Sequence, residues 1–206
     1  MESIVVDASA YVGLAATIAL TLNYMFGMMI GTAYRRAAYW KRLPERLKGI
    51  HIYNWHNRTA YIAIALVLIH PLLLLADRST KFHFLDIIFP IHAPTQKLFV
   101  ALGTVAMFAF LLVLLTSQKG IRKRLTFRNW KNIHLISYGT ALLFIFHGLL
   151  IDPELKNRSV DILDGEKLVS VACLLLIIST TVFRVRYEIT RRKANHKKMR
   201  IQYKSV

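Results

Sequence analysis

The chain has 206 residues, 55% hydrophobic and 19% charged, with a formal net charge of +17. That length suits one domain. The apolar residues lie in long uncharged blocks, which excludes a soluble helical domain, because each helix of such a domain must show a polar stripe to water.

The first block, Ala8 to Tyr34, has no basic region before it and exceeds the core of a signal peptide. It reads as a retained helix at approximately 9–34. Further uncharged blocks run from Thr59 to Ala76, Leu98 to Gln118, Ile133 to Ile151 and Leu168 to Phe183. Roughly 20 apolar residues cross a hydrocarbon core about 30 Å thick, so the later helices are expected at approximately 53–76, 97–118, 131–151 and 167–186. The last reaches full length once Lys167, Arg184 and Arg186 snorkel toward the interfaces. The expected fold is an all-α integral membrane bundle of about five transmembrane helices, one domain over 1–206 with a basic tail at 187–206. Short connections place sequential helices as antiparallel neighbours. The connection from Asp77 to Lys97 contains "FHFLDIIFPIH", which reads as a short interfacial helix or re-entrant turn ended by Pro90. There is no internal repeat. Cys173 is the only cysteine, so neither an internal disulfide nor a thiolate cluster is available.

The basic residues are grouped. Arg35, Arg36, Lys41, Arg42, Arg46 and Lys48 fall in the first connection, and Lys119, Arg122, Lys123, Arg124, Arg128 and Lys131 in the third. Nine more follow from Arg184 onward. With five spans all three groups lie on one side, which the positive-inside rule makes cytoplasmic. The amino terminus is then outside and the carboxyl terminus cytoplasmic, as for a protein of a bacterial inner (cell) membrane. Trp40, Trp55 and Trp130 fall near cytoplasmic helix ends, where indole rings favour the interface. The charge pattern points to anionic lipid or an acidic partner and not to nucleic acid.

Of eight histidines, His56 and His70 lie 14 residues apart on the second helix, and His134 and His147 lie 13 apart on the fourth. These two helices run in the same direction, so the chain holds two histidines at each of two matched depths, about 20 Å apart. Histidine is costly in lipid and belongs in the bundle interior with a partner. Axial ligation of low-spin haem by neutral imidazoles meets that need, with each remaining ring N–H donated to a carbonyl or hydroxyl. Zinc competes poorly, since two histidines offer half a tetrahedral shell. On an ideal helix the 13-residue spacing turns His134 and His147 roughly 140° apart, an offset that rotamers, tilt or an irregularity near Ser137 and Gly139 must absorb.

The segments "NWHNRTAYIAIALVLIHPLLLL" and "NWKNIHLISYGTALLFIFHGLL", with the W-x3-H-x3-Y pattern at Trp130, His134 and Tyr138, resemble the paired-histidine helices of the ferric reductase-like transmembrane domain. That group includes ferric reductases, NADPH oxidases and the haem-binding membrane subunit of a bacterial methionine sulfoxide reductase system. The resemblance covers roughly residues 50 to 185. It implies two haems b, with His56 pairing His134 and His70 pairing His147. It also implies electron flow from a cytoplasmic donor to an acceptor outside, the donor being left open between a cytoplasmic flavin reductase and quinol. This sequence departs from many relatives in having five spans where they have six. It also lacks a glycine-rich nucleotide loop after the last helix, so no flavin or nicotinamide domain of its own is expected. The expectation is an oxidoreductase component, a b-type cytochrome served by a separate reductase.

Two alternatives stand beside it: a quinone-reacting cytochrome b anchor of a membrane dehydrogenase, with quinol as donor, and a non-haem membrane protein whose histidines pack helices. Arg58 is a candidate for a haem propionate or for a plain interfacial arginine. His83 and His92, with Arg78 and Lys81, are candidates for an acceptor site or for solvated loop residues. His51 and His196 read as surface residues, and Asn157-Arg158-Ser159 matches a glycosylation sequon.

Overall fold

The computed structural model describes residues 4–32, 34–36, 38–152 and 164–204. Five long helices carry the architecture: α1 (Ile4–Gly31), α2 (Ile52–Ala76), α3 (Lys97–Ser117), α4 (Phe127–Leu150) and α5 (Gly165–Lys204). All five are long and apolar enough to cross a membrane. Only 17% to 28% of each apolar window is buried inside the protein, so most of every helix surface is left for lipid. Ile62, Leu72, Val105, Leu115 and Leu175 are among the large apolar side chains left exposed. The chain is an integral membrane protein, and its described regular structure is helical throughout.

Consecutive helices are antiparallel. The tightest packing joins α1 to α2 and α3 to α4, so the bundle consists of two hairpins. Helix α1 also touches α4, and α5 lies across α1 and α4. The basic connections gather at one end, called here the basic end. There Tyr34 and Trp40 meet edge-to-face at 4.6 Å and pack with Ile52. At the far end, the motif in the second connection forms the short helix Phe84–Ile88 followed by a 3-10 turn at Pro90–His92. The buried Asp86 carboxylate accepts from the His83 backbone N–H at 2.7 Å, and the Thr104 hydroxyl donates to the Ile87 carbonyl at 2.9 Å, docking this element on α3. The sequon at Asn157 lies outside the described residues.

Two cations behave otherwise than the sequence suggests. Lys167 does not snorkel: it is 4% exposed, and its Nζ donates to the carbonyls of Gly148, at 2.9 Å, and Ile151 at the end of α4. Arg184 donates to the carbonyl of Gly31 at the end of α1. The last carbonyls of a helix have no partner within it, and the macrodipole makes that end negative. In a membrane such an end attracts a cation more strongly than a longer reach to water does. Helix α5 therefore supplies a positive cap to each of the two helices it crosses, and it runs on as one helix to Lys204.

Lys167→Met removes both donors from the end of α4. It should lower stability by about 1–3 kcal/mol, the cost of leaving buried carbonyls unpaired. Thermal unfolding in detergent checks this, with Lys193→Met on the exposed part of α5 as the neutral control.

Candidate functional site

The four membrane histidines come together as two facing pairs. The rings of His56 and His134 have centroids 6.3 Å apart at an interplanar angle of 72°. Those of His70 and His147 are 6.2 Å apart at 74°. The backbones of α2 and α4 scarcely come within 8 Å of each other, so imidazoles span the space between them.

Three of the rings are held by a shared device. His70 Nδ1 donates to the Ser9 carbonyl at 2.7 Å, His56 Nδ1 to the Asn23 carbonyl at 3.0 Å, and His147 Nδ1 to the Phe99 carbonyl at 2.7 Å. A carbonyl can only accept, so each Nδ1 carries the proton and each Nε2 keeps its lone pair. Four residues after each acceptor stands a glycine, and the imidazole lies on it. A Cβ at Gly13 would sit 3.0 Å from His70 Cε1, at Gly27 3.3 Å from His56 Cε1, and at Gly103 2.8 Å from His147 Cε1. The bare backbone at these positions lets the ring reach a carbonyl that already closes a helical turn.

On α2 the clasp is reciprocal. The Ser9 hydroxyl donates back to the His70 carbonyl at 2.8 Å, and the Asn23 amide donates back to the His56 carbonyl. Ser9 and Asn23 are 14 residues apart, as are Gly13 and Gly27, and as are His56 and His70. The two antiparallel helices therefore engage twice in one register. A search for repeated residue types misses this, because serine occupies one position and asparagine the other. The readable signal was the shared spacing.

His134 is the exception. Its Nδ1 is buried with no hydrogen-bond partner among the described residues, and its ring stacks on Trp130, one turn back on α4, at 5.0 Å and 22°. Arg122 lies over the other ring system of this stack, with Cζ 4.4 Å from the Trp130 centroid. Helix α4 runs unbroken through Ser137 and Gly139. The angular offset of the 13-residue spacing is thus taken up by the side chains: His147 leans onto α3, while His134 folds back along its own helix. Tyr138, the last member of the W-x3-H-x3-Y pattern, meets Tyr24 of α1 edge-on at 5.5 Å.

Between the two levels lies an apolar layer that includes Leu20, Ala63, Ile64, Ala106, Phe110 and Phe144. The far pair opens into a mostly apolar cleft whose walls come from all five helices and include Gly13, Gly103 and Lys167. Arg58 is not brought to either pair; it is exposed, with Cζ 5.9 Å from the Trp55 ring centroid. His83, His92, His51 and His196 are exposed.

Among the described residues no group of three or more His, Cys, Asp or Glu is placed to hold a metal ion. Two imidazoles are too few for a bare ion, which takes four or more protein ligands in a closed site. Such a pair could hold a metal whose remaining ligands come from a bound group, and the apolar surroundings would suit a flat, greasy one.

Gly13→Ala and Gly103→Ala should each lower stability by about 1–3 kcal/mol by pushing an imidazole off its carbonyl. A Cβ at Gly139 meets nothing within 4 Å, so Gly139→Ala should be neutral or stabilising by up to about 1 kcal/mol. Thermal unfolding of the three variants in one detergent makes the comparison.

No curated protein matches the chain. The family described as ferric reductase like transmembrane component matches residues 12–145, which takes in most of α1, all of α2 and α3 and most of α4. The match contains His56, His70 and His134 and stops two residues before His147. With a match over well more than half its length, the chain belongs to the ferric reductase like transmembrane component family.

Proposed function

We propose that this family member is a membrane b-type cytochrome with two haem sites, one held by His56 and His134 and the other by His70 and His147, joining a separate cytoplasmic reductase to an acceptor outside. The observation that carries the reading is the ring separation. Two imidazoles that held one iron between them through bonds of about 2 Å would have ring centres about 6 Å apart, the nitrogen lying roughly 1.1 Å from each centre. The observed centroids are 6.3 and 6.2 Å apart. When bound, haem iron would supply one-electron redox chemistry at two depths of the membrane.

The chain's own residues do the rest. Ser9, Asn23 and Phe99 fix the ring tautomers through their carbonyls, leaving Nε2 lone pairs aimed between α2 and α4. The apolar layer around Ala63 and Phe110 keeps water from the space between the levels. The clustered lysines and arginines support a cytoplasmic basic end and an amino terminus outside. They also give that face a field that would steer an acidic flavoprotein toward the nearer pair.

An optical spectrum of the purified protein, oxidised and reduced, with haem counted per chain, tests the reading. Two low-spin b haems per chain are expected; a colourless protein after expression with ample haem would sink it. The near-perpendicular rings add a second expectation. Both haems should give strongly anisotropic low-spin electron paramagnetic resonance signals, and the ordinary rhombic signal of parallel imidazoles would contradict the geometry. His70→Ala with His147→Ala should remove one haem and leave the other.

A further inference from the structure

We propose that the two haem sites are unequal and that the inequality lies in His134: the basic-end site exchanges its α4 imidazole for an external ligand, and the far site does not. This deepens the haem reading above and rests on it.

The four rings form a graded series. His56 and His70 are each clasped twice, once by a carbonyl accepting from Nδ1 and once by a side chain donating to the histidine's own carbonyl. His147 is held once, by Phe99, and is wedged against Gly103. The His134 carbonyl accepts from the Ser137 hydroxyl of its own helix at 2.7 Å, but among the described residues the His134 ring has neither acceptor nor glycine bed and rests on the stacked Trp130 indole. A hydrogen bond to the outer nitrogen raises the basicity of the metal-binding nitrogen and fixes its aim, and losing such a partner commonly costs 10- to 100-fold in metal affinity. The far pair therefore has two anchored ligands, while the basic-end pair has one anchored and one free to swing. Steric relief acts the same way. Moving His147 away means breaking a 2.7 Å bond inside a five-walled cleft, whereas His134 breaks no hydrogen bond on leaving. The cause is legible in the chain: α1 repeats its carbonyl-and-glycine bed at the 14-residue step of α2, and α3 carries no glycine near Thr116 to match the 13-residue step of α4.

The exchange is a simple substitution, in which the iron–Nε2 bond to His134 breaks and a bond to the incoming ligand forms, with no change in electron count. Carbon monoxide is the probe. The full chain, carrying two haems and reduced with dithionite, is titrated with carbon monoxide while the Soret band is followed. One haem per chain should convert, with an affinity at least about 10-fold above that of the other. His70→Ala with His147→Ala, which keeps only the basic-end site, should retain that conversion, and His56→Ala with His134→Ala should lose it. Gly103→Ala, which displaces His147 from its carbonyl, should make both haems of an otherwise intact protein reactive. Equal conversion of both haems in the unmodified chain, conversion of neither, or conversion confined to the far site would each overturn the proposal. So would a Gly103→Ala protein that still converts only one haem, a result that does not depend on the double variants folding. Fewer than two haems before any carbon monoxide is added would instead undo the reading on which the proposal stands.

Discussion

An imidazole inside a hydrocarbon layer carries an N–H that water cannot reach, and nearly every carbonyl within range already closes a helical turn. A carbonyl oxygen has a second lone pair, but side chains normally screen it. A neighbouring helix can reach it only where the covering residue is glycine. The carbonyls of Ser9, Asn23 and Phe99, followed four residues later by Gly13, Gly27 and Gly103, are the places where this chain leaves that access open. The constraint does more than satisfy three protons. It selects α1 as the partner of α2 and α3 as the partner of α4, and it sets their register.

Once those hairpins are fixed, the space between α2 and α4 follows. Both helices are turned toward it by rings anchored behind them, so their backbones stay apart while the imidazoles face each other at 6.2 and 6.3 Å. Closure falls to α5, which is not part of either hairpin. Its Lys167 and Arg184 meet the negative ends of α4 and α1, and the Tyr24 and Thr181 hydroxyls join it to α1 at 2.8 Å. Electrostatic capping thus does at the bundle's two ends what the imidazole clasps do in its middle.

Five membrane-length helices, the short helix before Pro90 and the facing of the four histidines in two pairs were legible because lipid imposes a simple rule on length and charge. Other features were not. The beds at Gly13 and Gly103 look like ordinary small residues in apolar runs, and their meaning depends on which helix is the neighbour. The place of Lys167 is not legible, because a sequence shows the distance to the interface and not the carbonyls of Gly148 and Ile151 that its Nζ meets. The 13-residue step on α4 did announce a difference, but only the structure shows that it falls on His134 and not on His147. Arg58, two positions from His56, turns to Trp55 because residues two apart on a helix face nearly opposite ways.

The hairpin construction also bears on biogenesis. Each hairpin is stitched internally, α1 to α2 through His56 and His70 and α3 to α4 through His147, and none of these bonds crosses the seam between them. The first hairpin is complete when residue 76 has left the translocation machinery, and the second when residue 150 has. Both could therefore wait side by side in the bilayer with their free imidazole nitrogens already presented, and on the haem reading the seam need not close before the group enters. Helix α5, which follows both hairpins in the chain and packs on α1 and α4, is placed to lock it.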